Sequence, residues 1–178
     1  MIELKEPILI NDILPMQSNI DMLNFLCESN FTFGGEIRDQ KQIVSALCND
    51  HVHHGFSLIT RDINEMSVKK TPLNVYAHII IQHITQKLDI KKYTITRFNW
   101  NYYYRGMEGT GHVDEEEDCF ISILYNPHTT DGGTEIKGIT YPDKISQAKI
   151  FKSNWMHRGT TTKQDKARFN LNIVIKIA

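Results

Sequence analysis

The chain has 178 residues, 40% of them hydrophobic and 23% charged, a globular composition that excludes a disordered or fibrous protein. One domain of this length can bury about 70% of the surface that its unfolded form exposes, so a real core is available. Twenty Lys and Arg against twenty-one Asp and Glu leave a net charge of −1, which argues against a strongly electrostatic nucleic-acid binder. The three cysteines, Cys27, Cys48 and Cys119, are odd in number and share no CxxC spacing. Neither a disulfide framework nor a zinc–cysteine site is expected, and a reducing, cytoplasmic setting fits best. No run approaches roughly eighteen apolar residues, and Met1–Glu6 has no basic segment followed by an apolar one, so neither a membrane span nor a secretory signal is expected.

Taken in chain order, Ser18-Asn19-Ile20-Asp21 reads as a capping box, opening a helix with Ile20, Leu23, Phe25 and Leu26 mostly inward. A second helix is predicted over Gln40–Cys48 and a short strand over Phe56–Thr60. Thr71-Pro72 is an N-cap followed by proline at the first helical position, and Ala77, Ile80, Ile81, Ile84 and Leu88 then form one apolar face. The chain changes character near residue 91. Tyr93–Tyr104 is a long extended run, and Cys119–Tyr125 is a second strand. Asp131-Gly132-Gly133 is a turn, and shorter strands follow at Gly133–Ile139, Ala148–Lys152, Trp155–Gly159 and Arg168–Ile177. The pattern predicts one α+β domain over 1–178. Residues 1–91 provide mainly helical support, packed outside a jelly-roll β-sandwich formed by 92–178.

His112-Val113-Asp114 is the first chemical feature above background. In extended chain, residues i and i+2 point to the same side, so this imidazole and carboxylate can converge on one ion. Among eight histidines, His157 stands out because it lies in a β-like segment. Two His and one carboxylate form the facial triad of non-haem Fe(II) sites, which leaves coordination positions open. Alternation puts Arg168, Asn170 and Asn172 on one face of the last strand and Phe169, Leu171 and Ile173 on the other. The polar face must meet something wet or ionic, and an arginine there suits a bidentate grip on a carboxylate. Arg97, Asn99, Asn101 and Tyr103 divide in the same way from Phe98, Trp100, Tyr102 and Tyr104. His51-x-His53-His54 is a weaker metal cluster, and His78 and His83 read as packing or surface residues. His128 reads as an exposed turn residue.

The order Tyr103…His112-x-Asp114…Gly132-Gly133…His157…Arg168 resembles the Fe(II)/2-oxoglutarate-dependent dioxygenases, most of all the small prolyl-4-hydroxylase type, over residues 93–178. The resemblance implies a double-stranded β-helix (jelly-roll, cupin-like) with the N-terminal helices outside its major sheet. By the same resemblance His112, Asp114 and His157 are catalytic and hold Fe(II). Arg168 binds the distal carboxylate of 2-oxoglutarate, with Tyr103, Asn101 and Asn170 beside it, and Tyr104 replaces Tyr103 if the strand carries a bulge. The implied reaction uses O₂, with ascorbate as reductant, and converts 2-oxoglutarate to succinate while hydroxylating a peptidyl (prolyl-type) or small-molecule C–H bond. Arg158 and Tyr104 are candidate substrate contacts.

Prolyl hydroxylases proper usually carry lysine at the Arg168 position. Asn101-x-Tyr103 with Arg168-x-Asn170 also resembles the AlkB-type nucleic-acid dealkylases, although no second arginine follows in Asn172-Ile173-Val174. A cupin-type module that binds a metal or ligand without turnover is the other alternative. The acidic run Asp114–Asp118 reads as a solvated loop that would repel phosphates if it lined the mouth.

Overall fold

In the computed structural model, residues 3–29, 32–33, 56–62, 72–160, 162–163 and 167–178 are described. The elements are β1 (Ile8–Ile10), α1 (Met16–Cys27), β2 (Thr32–Phe33), β3 (Phe56–Asp62), α2 (Pro72–Lys87), β4 (Tyr93–Tyr103), β5 (Phe120–Asn126), β6 (Gly133–Ile136), β7 (Ile139–Pro142), β8 (Gln147–Lys152), β9 (His157–Thr160) and β10 (Arg168–Ile177). The expected Gln40–Cys48 helix and the His51, His53, His54 cluster lie outside the described residues.

Two antiparallel sheets result. The larger runs β1-β8-β5-β10-β4-β3-β2 and the smaller β7-β6-β9. Both helices pack on the outer face of the large sheet. Met22, Leu26, Leu73, Ala77, Ile80, Ile81 and Ile84 meet Phe98, Trp100, Ile123, Ile150, Leu171, Ile173 and Ile175 in one apolar cluster. Among the described residues, the apolar cluster between the sheets is a small one of Leu124, Ile136 and Phe151, flanked by Tyr141 and Trp155. The main core is therefore helix on sheet, which leaves the inner face of the large sheet free to carry polar side chains.

α2 forms where the apolar spacing predicts it, while its expected cap, Thr71, lies outside the described residues. Pro72 opens it with φ already set for helix, and its apolar face is buried. It closes in a Schellman turn: Ile90 N–H bonds Thr85 O (2.8 Å), Asp89 N–H bonds Gln86 O (3.2 Å), and Asp89 takes φ 55°. α1 differs from expectation. It begins at Met16 after Pro15, with no side-chain cap, so Ser18 lies inside the helix and the capping box does not form. Its buried stripe is Asn19, Met22 and Leu26, while Ile20 and Phe25 are exposed. The buried Asn19 is satisfied: its amide donates to Pro15 O (3.0 Å) and its carbonyl accepts the Tyr125 hydroxyl (2.5 Å). The predicted Gly133–Ile139 strand is in fact a hairpin, because Lys137 (φ 51°) and Gly138 (φ 81°) make the left-handed two-residue turn that joins β6 to β7.

β4 and β10 form the spine. Tyr103 pairs with Arg168, Asn101 with Asn170, and Asn99 with Asn172. Beyond Arg97, opposite Val174, the register slips so that Ile95 faces Ile175 and Thr96 is the extra residue of a β-bulge. The bulge resets the alternation. Ile95 joins Phe98 and Trp100 against the helices, although strict period two would put it on the polar face with Arg97.

Candidate metal centre

The segment before β5 runs alongside β9. Gly109 N–H bonds Gly159 O (3.0 Å), and His112 and His157 exchange both backbone hydrogen bonds (3.0 and 2.9 Å). A directly opposed pair in an antiparallel bridge places its side chains on one face, and the two imidazole centroids are 4.4 Å apart. Two residues on, Asp114 N–H bonds Ser153 O (2.9 Å), returning the carboxylate to the same side. His112, Asp114 and His157 then present one ligand atom each, all within 4.8 Å of one another. His112 Nε2 is 3.8 Å from Asp114 Oδ1, and His157 Nε2 is 3.5 Å from Asp114 Oδ2.

Both rings are locked in the same tautomer. His112 Nδ1 donates to Thr110 O and His157 Nδ1 to Trp155 O, each at 2.9 Å. A carbonyl can only accept, so each Nδ1 carries the proton and each Nε2 lone pair faces the shared point, as a metal-binding histidine requires. Burial pushes the His157 imidazole below its ordinary value, against the pull of Asp114. Burial alone would raise the Asp114 carboxyl. His157, Arg97 and His112, helped by the Ser122 hydroxyl, outweigh it and hold the carboxyl below the usual carboxylate range. Arg97 Nη2 donates to Asp114 Oδ1 (2.8 Å), Asn172 Nδ2 to the same oxygen (3.2 Å), and Ser122 Oγ to Oδ2 (2.5 Å). Two imidazole nitrogens and a fixed carboxylate fit a divalent transition metal. The approach is open on one side, since the His112 side chain is 37% exposed while Asp114 and His157 are buried.

The other predicted site residues separate into two groups. Arg168 is completely buried, with its guanidinium 5.1 Å from the Tyr103 ring centroid. Burial raises the Tyr103 phenol, so it stays protonated and available as a donor. Asn101 Nδ2 donates to Asn170 Oδ1 (2.9 Å), and Asn99 Nδ2 to Asn101 Oδ1 (2.7 Å). An amide ladder thus links the Arg168 end to the strand positions beside Asp114. β4 carries no bulge near Tyr103, so Tyr104 falls on the opposite face, 52% exposed and edge-on to Tyr102. Arg158 is also directed away, because period two in β9 sends His157 and Gly159 inward and Arg158 outward to Glu135 (2.9 Å). The structure therefore does not bring the two candidate substrate contacts to the triad. His128 is not an exposed turn residue: its Nε2 accepts the Phe169 N–H at 3.0 Å. Of the acidic run, Glu116–Asp118 are exposed, with Asp118 held by Lys152 (3.0 Å), whereas Asp114 turns inward.

The sequence reading missed Ser122, Asp143, Lys149 and Gly159, and it gave Arg97 no role. Arg97 and Ser122 stand on inward faces of β4 and β5, which alternation could have shown. Lys149 is a lone charge in the apolar run Ala148-Lys149-Ile150-Phe151, a signal in itself. Asp143 lies in a loop and has no local signal.

No family model matches the sequence, and no curated protein matches it. Solved structures do match its shape. The viral collagen prolyl hydroxylase of Paramecium Bursaria Chlorella virus-1, in its 2OG complex, aligns at TM-score 0.64 and 12% identity over 98% of this chain and 97% of that one. The non-heme alpha ketoglutarate dependent carbocyclase SnoK from nogalamycin biosynthesis aligns at TM-score 0.69 and 10% identity, over 97% and 79%. HygX from Streptomyces hygroscopicus, with nickel and 2-oxoglutarate bound, aligns at TM-score 0.64 and 6% identity, over 97% and 83%. With helices on a large antiparallel sheet, a small sheet opposite and a His-Asp-His group between, the chain has the fold of the 2-oxoglutarate/Fe(II) oxygenase superfamily.

Proposed function

We propose that the chain is an Fe(II)- and 2-oxoglutarate-dependent dioxygenase, built as one domain on a double-stranded β-helix, that hydroxylates a C–H bond of a peptidyl (prolyl-type) or small-molecule substrate. One observation carries the reading. Two tautomer-locked imidazoles and an ionised carboxylate converge on one point, while a buried guanidinium nitrogen, Arg168 Nη1, has no hydrogen-bond partner among the described residues. That nitrogen lies along the inner side of β9, 3.0 Å from where a Cβ on Gly159 would stand, so only glycine leaves the approach clear. A buried unpaired donor of this kind fits an incoming carboxylate.

In this reading His112, Asp114 and His157 hold the ion, with Arg97, Ser122 and Asn172 fixing Asp114. Arg168 and the Tyr103 hydroxyl take the distal carboxylate of 2-oxoglutarate. Bound Fe(II), with 2-oxoglutarate and O₂, supplies the oxidising power for a C–H bond as the oxo acid is decarboxylated to succinate. The near-neutral chain and the exposed acids Glu116–Asp118 disfavour a phosphate-rich substrate.

Succinate formation from 2-oxoglutarate with Fe(II), ascorbate and O₂ tests the proposal. Arg168→Ala is expected to raise the 2-oxoglutarate requirement by about two orders of magnitude, because one partner of a buried charge contact is lost, with iron affinity retained. Absence of both turnover and 2-oxoglutarate binding would make the chain a cupin-type module. Preferential turnover on DNA or RNA would make it an AlkB-like dealkylase.

A further inference from the structure

Behind Arg168 lies a fully buried ionic cluster that no step of the proposed reaction uses. Asp143 takes the Arg168 fork, with Nε donating to Oδ2 (2.5 Å) and Nη2 to Oδ1 (3.3 Å). The same carboxylate accepts Lys149 Nζ (3.0 Å) and Thr130 Oγ1 (3.0 Å). Lys149 Nζ also donates to Asn126 Oδ1 (2.6 Å). The Lys149, Asp143 and Arg168 side chains are all 0% exposed.

The charges do not cancel. Asp143 and Arg168 alone would be a neutral pair. Among the described residues, adding Lys149 leaves two cations against one anion, a net +1 in a fully buried setting. An uncompensated buried charge is strongly unfavourable unless a partner arrives. Lys149 lies behind Asp143, so its influence on anything entering is through charge. Asp143 also turns the fork inward, so that Arg168 presents only Nη1 to the interior.

We propose that Lys149 is a positioning residue that sets the charge of the acid-binding end. It offsets Asp143 so that Arg168 keeps a full positive charge for one carboxylate, which makes the site select 2-oxo diacids over 2-oxo monoacids. The inference rests on the proposed binding of 2-oxoglutarate. Its test separates the two.

The experiment is calorimetric titration of the Mn(II)-loaded chain with 2-oxoglutarate and with 2-oxopentanoate, which has the same carbon count but lacks the distal carboxylate. The wild-type chain is expected to prefer the diacid. Lys149→Met makes the cluster neutral and should lower that preference about tenfold or more, with 2-oxopentanoate and Mn(II) binding unchanged. Asp143→Asn combined with Lys149→Met returns the net charge to +1 and should restore the preference to within about threefold of wild type. A merely structural lysine would show no such rescue. An unchanged preference in Lys149→Met overturns the inference and leaves the oxygenase reading standing. Lack of any preference in the wild type overturns that reading and the inference with it. Should Lys149→Met fail to fold, the double variant decides alone: a retained preference supports the charge account, and a lost one overturns it.

Discussion

Two buried carboxylates, Asp114 and Asp143, contact the same strand, β10, at Asn172 and Arg168, and they are surrounded differently. Asp114 bonds Asn172 and Arg97 and faces two imidazoles, one of them partly open to solvent. Its charge is matched by one arginine, and its neighbours leave lone pairs directed at a common point. Asp143 bonds Arg168 and Lys149 in a fully enclosed setting, where the cations are in excess. The first arrangement gathers ligand atoms around one point, and the second holds an excess of positive charge among the described residues. A metal ion together with a dianionic acid would complete both, whereas a metal-binding module alone has no use for the second.

Breaking the enclosed cluster should give the largest effect. Asp143→Ala leaves Arg168 and Lys149 buried together without a counter-ion and is expected to cost about 3–5 kcal/mol of stability, measured by denaturant unfolding. Asp114 has its open neighbour as outlet, so the effect there should appear in metal affinity. Ser122→Ala removes the donor to Asp114 Oδ2 and should weaken Mn(II) binding about 10–100-fold with little loss of stability. The reverse pattern in these two variants would dissolve the distinction between the clusters.

Acid should act on both. The carboxyls of Asp114 and Asp143 sit below their ordinary value of 3.8, the first through His157, Arg97 and His112 and the second through Arg168 and Lys149, in each case against the upward push of burial. The native state therefore binds fewer protons than the unfolded chain. Their stabilisation is fully present above the unfolded value and is lost as pH falls through the folded ones. In Asp143→Asn/Lys149→Met the Asp143 share is gone, and the acid limb of a stability–pH curve should be shallower than in wild type.

The smallest effect sharpens the boundary between the ends. A Cβ on Gly159 would come within 3.0 Å of Arg168 Nη1 and 3.5 Å of the Tyr103 ring. Gly159→Ala should weaken 2-oxoglutarate binding by about 1 kcal/mol or more, roughly five- to tenfold, while Mn(II) titrates as before. Equal loss of both ligands would mean that the ends are not independent.

Much of this was legible in the chain because it is periodic. Alternation alone separates Arg168, Asn170 and Asn172 from Phe169, Leu171 and Ile173, and the three- and four-residue steps of Ala77, Ile80, Ile81 and Ile84 give the buried face of α2. The same alternation misled where the backbone departs from regularity. Ile95 changes face at a bulge, and the predicted Gly133–Ile139 strand folds back on itself at two left-handed residues. α1 misled for another reason: the Ser18-Asn19-Ile20-Asp21 pattern looks like a helix start, but the helix already begins at Met16, and Asn19 inside it finds Pro15 O and the Tyr125 hydroxyl, the latter a partner that a local pattern does not contain.

By itself the sequence determined which side chains share a face of extended chain, and so which could act together within one segment: His112 with Asp114, and Arg168 with Asn170. Only the tertiary structure decided which strands meet. It opposed His157 to His112, turned Arg158 outward, and set Asp143 and Lys149 behind Arg168. Periodicity is a property of the local backbone, whereas the partner of a buried charge is chosen by whatever segment the fold brings within a few ångströms, at any distance along the chain.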